Sequence, residues 1–175
     1  YVDVVILRDI VERHGIANIL PLRHLIRHLV NAPATRFSVN RFYNTLRSLS
    51  VPCTKNSLYE YMGHLEEAYL VFSVPLFTRS ERERVVNPKK VYVVDNGLIH
   101  AMSRRPSPDF GAFLENLAFL TLRRAGAEIG YFRDEDGTEV DFVVTPRKGS
   151  TFLLQVCWTL KDRETVERET RALAR

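Results

Sequence analysis

Apolar residues recur in the first part of the chain with the 3.6-residue period of amphipathic helices, and from residue 128 onward with the alternation of strands. Val4, Val5, Ile10 and Val11 suggest a lead-in helix that stops near Gly15, where a left-handed cap is sterically cheap. Leu22, Leu25, Ile26, Leu29 and Val30 follow the helical period, with Pro21 suited to a first turn. Asn31-Ala32-Pro33 interrupts the pattern. Ser38 is a natural N-cap for a third helix whose apolar positions are Val39, Phe42, Tyr43, Leu46 and Leu49. Pro52 ends it, because proline disfavours a helical residue before it. Thr54 or Asn56 then caps a helix striped by Leu58, Tyr61, Met62, Leu65 and Tyr69.

Two amphipathic helices joined by a tight turn match a helix-turn-helix. The strand formers Leu70 to Leu76, a charged loop from Thr78 to Lys90 and a strand Val91–Val94 complete the pattern of a winged helix, with the loop as the wing. Asp95, after that strand and before Gly97, is placed to cap the following helix. The functional expectation is DNA contact. Lys55, Asn56 and Tyr59 would approach the groove from the second helix, and Arg79, Arg82, Arg84, Lys89 and Lys90 would meet phosphates from the wing. The competing reading is a helix pair used for packing or for protein interaction, with a solvated charged loop; Glu60, Glu66 and Glu67 weaken the electrostatic case.

The second half reads differently. Pro106, Pro108 and Gly111 mark a boundary, followed by a helix from about Ala112 to Ala125 with Phe113, Leu114, Leu117, Ala118 and Thr121 as its main buried stripe. Glu115 falls between Leu122 and Phe119 on a partly apolar face. A strand Glu128–Arg133, the hairpin signal Asp136-Gly137, and strands Thr138–Thr145 and Thr151–Cys157 come next, then a charged helix from Asp162. The expected fold class is therefore α+β, divided as a helical linker over 1–33, a winged helix over 34–105 and an α/β restriction-endonuclease-like domain over 106–175.

Composition adds a charge asymmetry. The chain has 175 residues, 45% hydrophobic and 26% charged, as in ordinary globular proteins. Residues 1–105 hold 15 Lys+Arg against 9 Asp+Glu, a net of +6, whereas residues 106–175 hold 10 against 12, a net of −2. The basic half is the candidate nucleic-acid face. Two cysteines, Cys53 and Cys157, suggest neither a disulfide framework nor a zinc site, and make a reduced, cytoplasmic setting the expectation. No apolar run reaches the roughly 20 residues of a membrane span. Tyr1 opens the chain inside an apparent helix and Thr170–Arg175 stops inside another, so a piece of a longer protein is expected.

Helix, three strands and helix with carboxylates at chosen points is the order of the restriction-endonuclease-like core. Its chemistry needs acidic oxygens for Mg²⁺ and a lysine to orient the attacking water. Asp141 takes the first acidic position, while Gln155 and Cys157 stand where an acid and a lysine two residues on would be. An amide is a weaker Mg²⁺ ligand than a carboxylate, and a thiol carries no permanent positive charge. Hydrolysis is expected to be negligible, leaving Glu115, Asp141, Gln155 and Cys157 as vestigial positions. Glu115 and Asp141 would retain at most weak Mg²⁺ binding, and a hydrogen-bonded polar cluster is the simpler role. Glu139 is expected to be solvated beside the hairpin.

Several strings together resemble one family: Ser38-Val39-Asn40, Leu58-Tyr59-Glu60-Tyr61, Asn87-Pro88-Lys89-Lys90-Val91-Tyr92, Asp95-Asn96-Gly97-Leu98, Leu114-Glu115-Asn116, Glu139-Val140-Asp141-Phe142 and Leu154-Gln155-Val156. It is the C-terminal region that follows the AAA-type P-loop ATPase module in many bacterial and archaeal ATPases. The resemblance covers nearly the whole chain. It implies an upstream ATPase, a winged-helix segment and a nuclease-like domain; some relatives look as if they keep Glu-x-Lys where this chain has Gln155 and Cys157. No phosphate-binding glycine loop occurs here, so ATP and its Mg²⁺ would belong to the upstream module. The expected function is a non-catalytic, DNA-binding or regulatory module with DNA, its own ATPase and a second copy as partners. The alternatives are a Mg²⁺-dependent nuclease using Glu115 and Asp141, or a protein-interaction module.

Overall fold

The computed structural model describes residues 10–102, 109–161, 165–167, 170 and 173. Most of the lead-in helix and of the helix expected from Asp162, with Pro106 and Pro108, lie outside them. The fold is mixed α and β, with two small three-stranded sheets. The chain divides into two compact units: Tyr1–Ser73 with Val91–Pro106, and Val74–Lys90 with Ser107–Arg175.

In the first unit, a short helical piece over 10–14 stops at Gly15, whose φ of 61° is the left-handed cap the sequence implies. Helix α1 (Ile19–Asn31) is capped by Asn18 and buries Pro21, Leu22, Leu25, Ile26, Leu29 and Val30. Strand β1 (Thr35–Phe37) leads to α2 (Val39–Ser48), where Ser38 accepts the Arg41 N–H. Helix α3 (Lys55–Glu67) is capped by Thr54, which accepts from Ser57 N at 3.0 Å, and buries Leu58, Tyr61, Met62 and Leu65. Two expected core positions lie at the helix ends and turn outward: Leu49 is 56% and Tyr69 64% exposed. Strands β2 (Val71–Val74) and β3 (Lys89–Val93) complete a sheet of order β1-β3-β2.

The charged stretch between β2 and β3 is not a loop. It contains helix α4 (Glu81–Val86), started by Ser80, which accepts the Glu83 N–H, while Thr78 donates to the Glu83 carboxylate at 2.7 Å. Ser80 is thus the N-cap, and its own N–H donates to Thr78 Oγ1 at 3.1 Å, a local signal that outweighs the charge of the segment.

Helix α5 (Asn96–Met102) closes the first unit, and Asp95 caps it by accepting the Leu98 N–H at 3.1 Å. Gly97 leaves room for that carboxylate, since a Cβ there would stand 2.6 Å from Asp95 Oδ1. Gly97→Ala is expected to displace the cap and cost about 1 kcal/mol, as other lost N-caps do, visible as a lowered urea midpoint. An unchanged midpoint would show the cap to be dispensable.

The second unit contains helix α6 (Phe110–Arg124), capped by Asp109, then an antiparallel sheet of β4 (Glu128–Arg133), β5 (Glu139–Thr145) and β6 (Phe152–Leu154) in the order β4-β5-β6. Gly137, with φ 87°, makes the expected hairpin turn. The outer side of β4 is met by residues 75–77, through Phe77 N to Tyr131 O at 2.7 Å and Tyr131 N to Pro75 O at 3.1 Å. Two expectations shift. The third strand ends at Leu154 rather than Cys157. Helix α6 buries Asn116, Phe119 and Leu120, whereas Leu117 is 48% exposed and Thr121 is exposed. Its sequence is apolar on two faces, so periodicity alone does not say which one packs inward.

Candidate functional site: a lysine held by three carboxylates

Strand β5 is buried on both faces, with Val140, Asp141, Phe142, Val143 and Val144 all at 8% exposure or less. Glu139 and Asp141, two residues apart, project to the same side of it. Glu115 reaches the same place from α6, and the fourth member is Lys90. Its ammonium Nζ lies 2.9 Å from Glu115 Oε1, 2.9 Å from Glu139 Oε1 and 2.9 Å from Asp141 Oδ1. The lysine side chain is 3% exposed. An ammonium has three N–H donors, and here each has a carboxylate acceptor.

Burial alone pulls the Lys90 pKa down. The charges of Glu115, Asp141 and Glu139, with the Glu139 hydrogen bond, outweigh it and leave the group above its ordinary value. Lys90 is therefore charged throughout the physiological range. The four groups together carry −2.

The second oxygen of Asp141 is also committed, accepting Val156 N–H at 3.1 Å, while Gln155 Oε1 accepts Asp141 N–H at 3.0 Å. The regular β5–β6 pairing ends at Phe142↔Leu154, so these side-chain bonds take over where the backbone ladder stops. Gln155 is thus a neutral acceptor for a backbone donor. Cys157 Sγ lies 2.9 Å from the carbonyl oxygen of Thr159, beside an open apolar groove formed with Leu114, Leu117 and Ala118 of α6.

Glu115 and Asp141 come together as the sequence leads one to expect. Glu139, expected to be solvated, is in the cluster with a 25% exposed side chain. Lys90, expected on a phosphate-binding wing, is buried instead, because three carboxylates compensate the cost of removing its charge from water. Sequence reasoning missed this lysine. The available signal was the second of two adjacent lysines, at the start of the apolar run Val91–Val94 and in alternation with Tyr92 and Val94.

Mg²⁺ requires octahedral oxygen ligands at about 2.0–2.1 Å. The three oxygens that would supply them surround Nζ at 2.9 Å, and the ammonium stands in their midst. The donor types suit the ion, but the arrangement does not accept it with Lys90 in place.

The remaining expected nucleic-acid residues are on the surface. Lys55, Asn56 and Tyr59 are exposed on α3. Lys55 Nζ is 5.6 Å and the Arg47 guanidinium 5.9 Å from the Tyr43 ring centroid, so two cations gather at one aromatic side chain. Arg79, Arg82 and Lys89 are exposed in the second unit, and Arg84 is half-buried.

Residues 1–109 match the family described as "Domain of unknown function (DUF8612)". The chain belongs to that family. In this DUF8612 chain, residues 110–174 match a further description, "Domain of unknown function (DUF4143)". Among curated proteins it is 33% identical over 175 residues to the uncharacterized protein MJ1544 of Methanocaldococcus jannaschii, covering 98% of this chain and 38% of the relative. It is 26% identical over 161 residues to an uncharacterized protein of Haemophilus influenzae, covering 91% of this chain and 40% of that relative. The chain thus spans about two fifths of the length of these curated relatives. No solved structure matches significantly. Among the described residues, no helix is long and apolar enough to cross a membrane.

Proposed function

We propose that the chain is a DNA-contacting, regulatory module of a prokaryotic AAA-type ATPase, and that its nuclease-like core does not hydrolyse DNA. The observation that carries the second half of this reading is Lys90. A lysine that serves phosphodiester hydrolysis must have an N–H free for water or phosphate, and all three N–H groups of Lys90 point to carboxylates. The cluster also carries net negative charge, which repels a phosphate backbone.

The order α6-β4-β5-β6, with carboxylates on the helix and on the central strand, supports a restriction-endonuclease-like ancestry for the second unit. The order α1-β1-α2-α3-β2-α4-β3 with sheet order β1-β3-β2 supports a winged helix whose wing holds a short helix. There α3 would be the recognition helix, offering Lys55, Asn56 and Tyr59, and Arg41 and Arg47 of α2 are exposed for the phosphates. The upstream ATPase is supported by the family resemblance and by the large share of the relatives that lies outside this chain.

The second reading, a Mg²⁺-dependent nuclease, is favoured by the convergence of Glu115, Glu139, Asp141 and a lysine, which are the residue types such chemistry uses. Supercoiled plasmid incubated with the protein and Mg²⁺ or Mn²⁺ separates the two. No nicking above a buffer control is expected. Metal-dependent nicking that disappears in Asp141→Ala would establish the nuclease.

A further inference from the structure

The first unit carries a second constellation of polar groups, remote in sequence from the lysine cluster. His14 comes from the helical piece over 10–14, and His64 and Glu67 from the last turn of α3. His64 and Glu67 are three residues apart, so both rise from the same face of the helix. The two imidazoles lie face to face, with centroids 3.5 Å apart and planes inclined by 17°. Ligand atoms of all three residues lie within 4.8 Å of one another.

We infer that His14, His64 and Glu67 form a binding site for a borderline divalent transition ion of the Zn²⁺ class, which pins the segment before α1 to the end of α3. Two imidazoles and a carboxylate are the donor types such ions take, with water left to fill the fourth position of a tetrahedron. Hard ions such as Mg²⁺ prefer all-oxygen sites and are not expected here.

Three further observations support the site. His14 Nε2 is 3.8 Å from Glu67 Oε2, too long for a hydrogen bond, so the contact does not lock the imidazole into a donor role. Tetrahedral Zn²⁺ with ligand bonds of about 2.0–2.1 Å separates its donors by about 3.3 Å, so His14 and Glu67 need only a small adjustment, while the two imidazoles must turn out of their stack to bring the ion into both ring planes. Among the described residues, neither imidazole ring makes a hydrogen bond, so ligation would break none. The Glu67 side chain is 62% exposed, which leaves the site open to solvent on one side.

The ion would act as a clasp. Gly15 to Asn18 connect the helical piece over 10–14 to α1, and an ion shared with α3 would add a second tie through His14. Because the ion binds the folded arrangement and not the unfolded chain, it would raise the melting temperature in proportion to the logarithm of its concentration.

The test is titration of the whole chain with Co²⁺, read by its ligand-field absorption, and with Zn²⁺, read by thermal melting. One equivalent of Co²⁺ with a tetrahedral spectrum and a melting temperature that climbs with Zn²⁺ are expected. Glu67→Gln, at an exposed position that leaves the fold intact, should weaken Co²⁺ by about tenfold or more as one charged ligand is lost. His14→Gln and His64→Gln should remove the spectrum. His24 and His28, four residues apart on α1, are the other histidine pair able to hold such an ion, so His24→Asn should leave the spectrum unchanged. Loss of the spectrum in His24→Asn, or wild-type Co²⁺ binding in both Glu67→Gln and His64→Gln, would overturn the assignment. So would the absence of any Co²⁺ or Zn²⁺ response in the wild type.

Discussion

Lys90→Met is expected to destabilise the protein by roughly 3–5 kcal/mol, the range seen when one partner of a buried ion pair is removed. Methionine nearly matches the lysine stem in length, so the packing of the aliphatic part is retained and the loss is mainly electrostatic. Three carboxylates would then face one another without a cation, at side-chain exposures of 14% for Glu115, 25% for Glu139 and 11% for Asp141. They must relax outward, bind protons or recruit an ion. Urea unfolding followed by circular dichroism measures the loss. Two further arms identify its cause. Combining Lys90→Met with Glu115→Gln, Glu139→Gln and Asp141→Asn should recover most of the stability, since the uncompensated charges are gone. Millimolar Mg²⁺ should raise the midpoint of Lys90→Met while leaving the wild type where it was. A Lys90→Met protein within about 1 kcal/mol of wild type would show that the ammonium is not the keystone of the cluster.

The same group sets the alkaline limit. Its pKa is raised in the fold, so its contribution is complete below the unfolded-state pKa of about 10.4 and declines only as pH rises beyond that. Near neutral pH the contribution of Lys90 should therefore be full and its titration should add no pH dependence to the stability.

Binding of duplex DNA should weaken about 40-fold between 50 and 200 mM salt if Arg41, Arg47 and Lys55 each neutralise one phosphate. Three released counterions correspond to a log–log slope of about −2.7. Arg47→Glu with Lys55→Glu should flatten the slope to about −1 and lower affinity at 50 mM salt by roughly two orders of magnitude. Neither side chain is buried, so folding should be little affected. Fluorescence anisotropy with a labelled duplex gives both quantities. A flat salt response, or full binding by the double variant, would remove the DNA reading and leave protein interaction as the role of this surface. Arg82→Glu asks the same of the second unit. Its cations entered the expectation as parts of a wing, but they sit on and around a short helix instead.

The periods of α1, α2 and α3, the Ser38 and Thr54 caps, Gly15, the Asp95 cap and the Gly137 turn were legible in the sequence, because each is decided by neighbours a few residues away. Helix α4 was legible too, through its Ser80 N-cap, but the charge of the segment masked it. The inward face of α6 was not. Its two apolar sides differ only in what packs against them, which no window of residues contains.

The site divides along the same line. The alternation in β5 and the helical position of Glu115 were enough to bring Glu115 and Asp141 together and to mark Gln155 and Cys157 as departures from nuclease chemistry. Lys90 was assigned to solvent because a lysine next to another at the end of a charged stretch is cheapest there. Its partners lie 25 and 51 residues away in sequence, and only their convergence makes burial of the ammonium favourable. The sequence by itself determined the main helices, the β4–β5 hairpin and the inventory of charges. The tertiary structure alone decided which charges meet, because ion pairing over such separations depends on a geometry that local propensity does not encode.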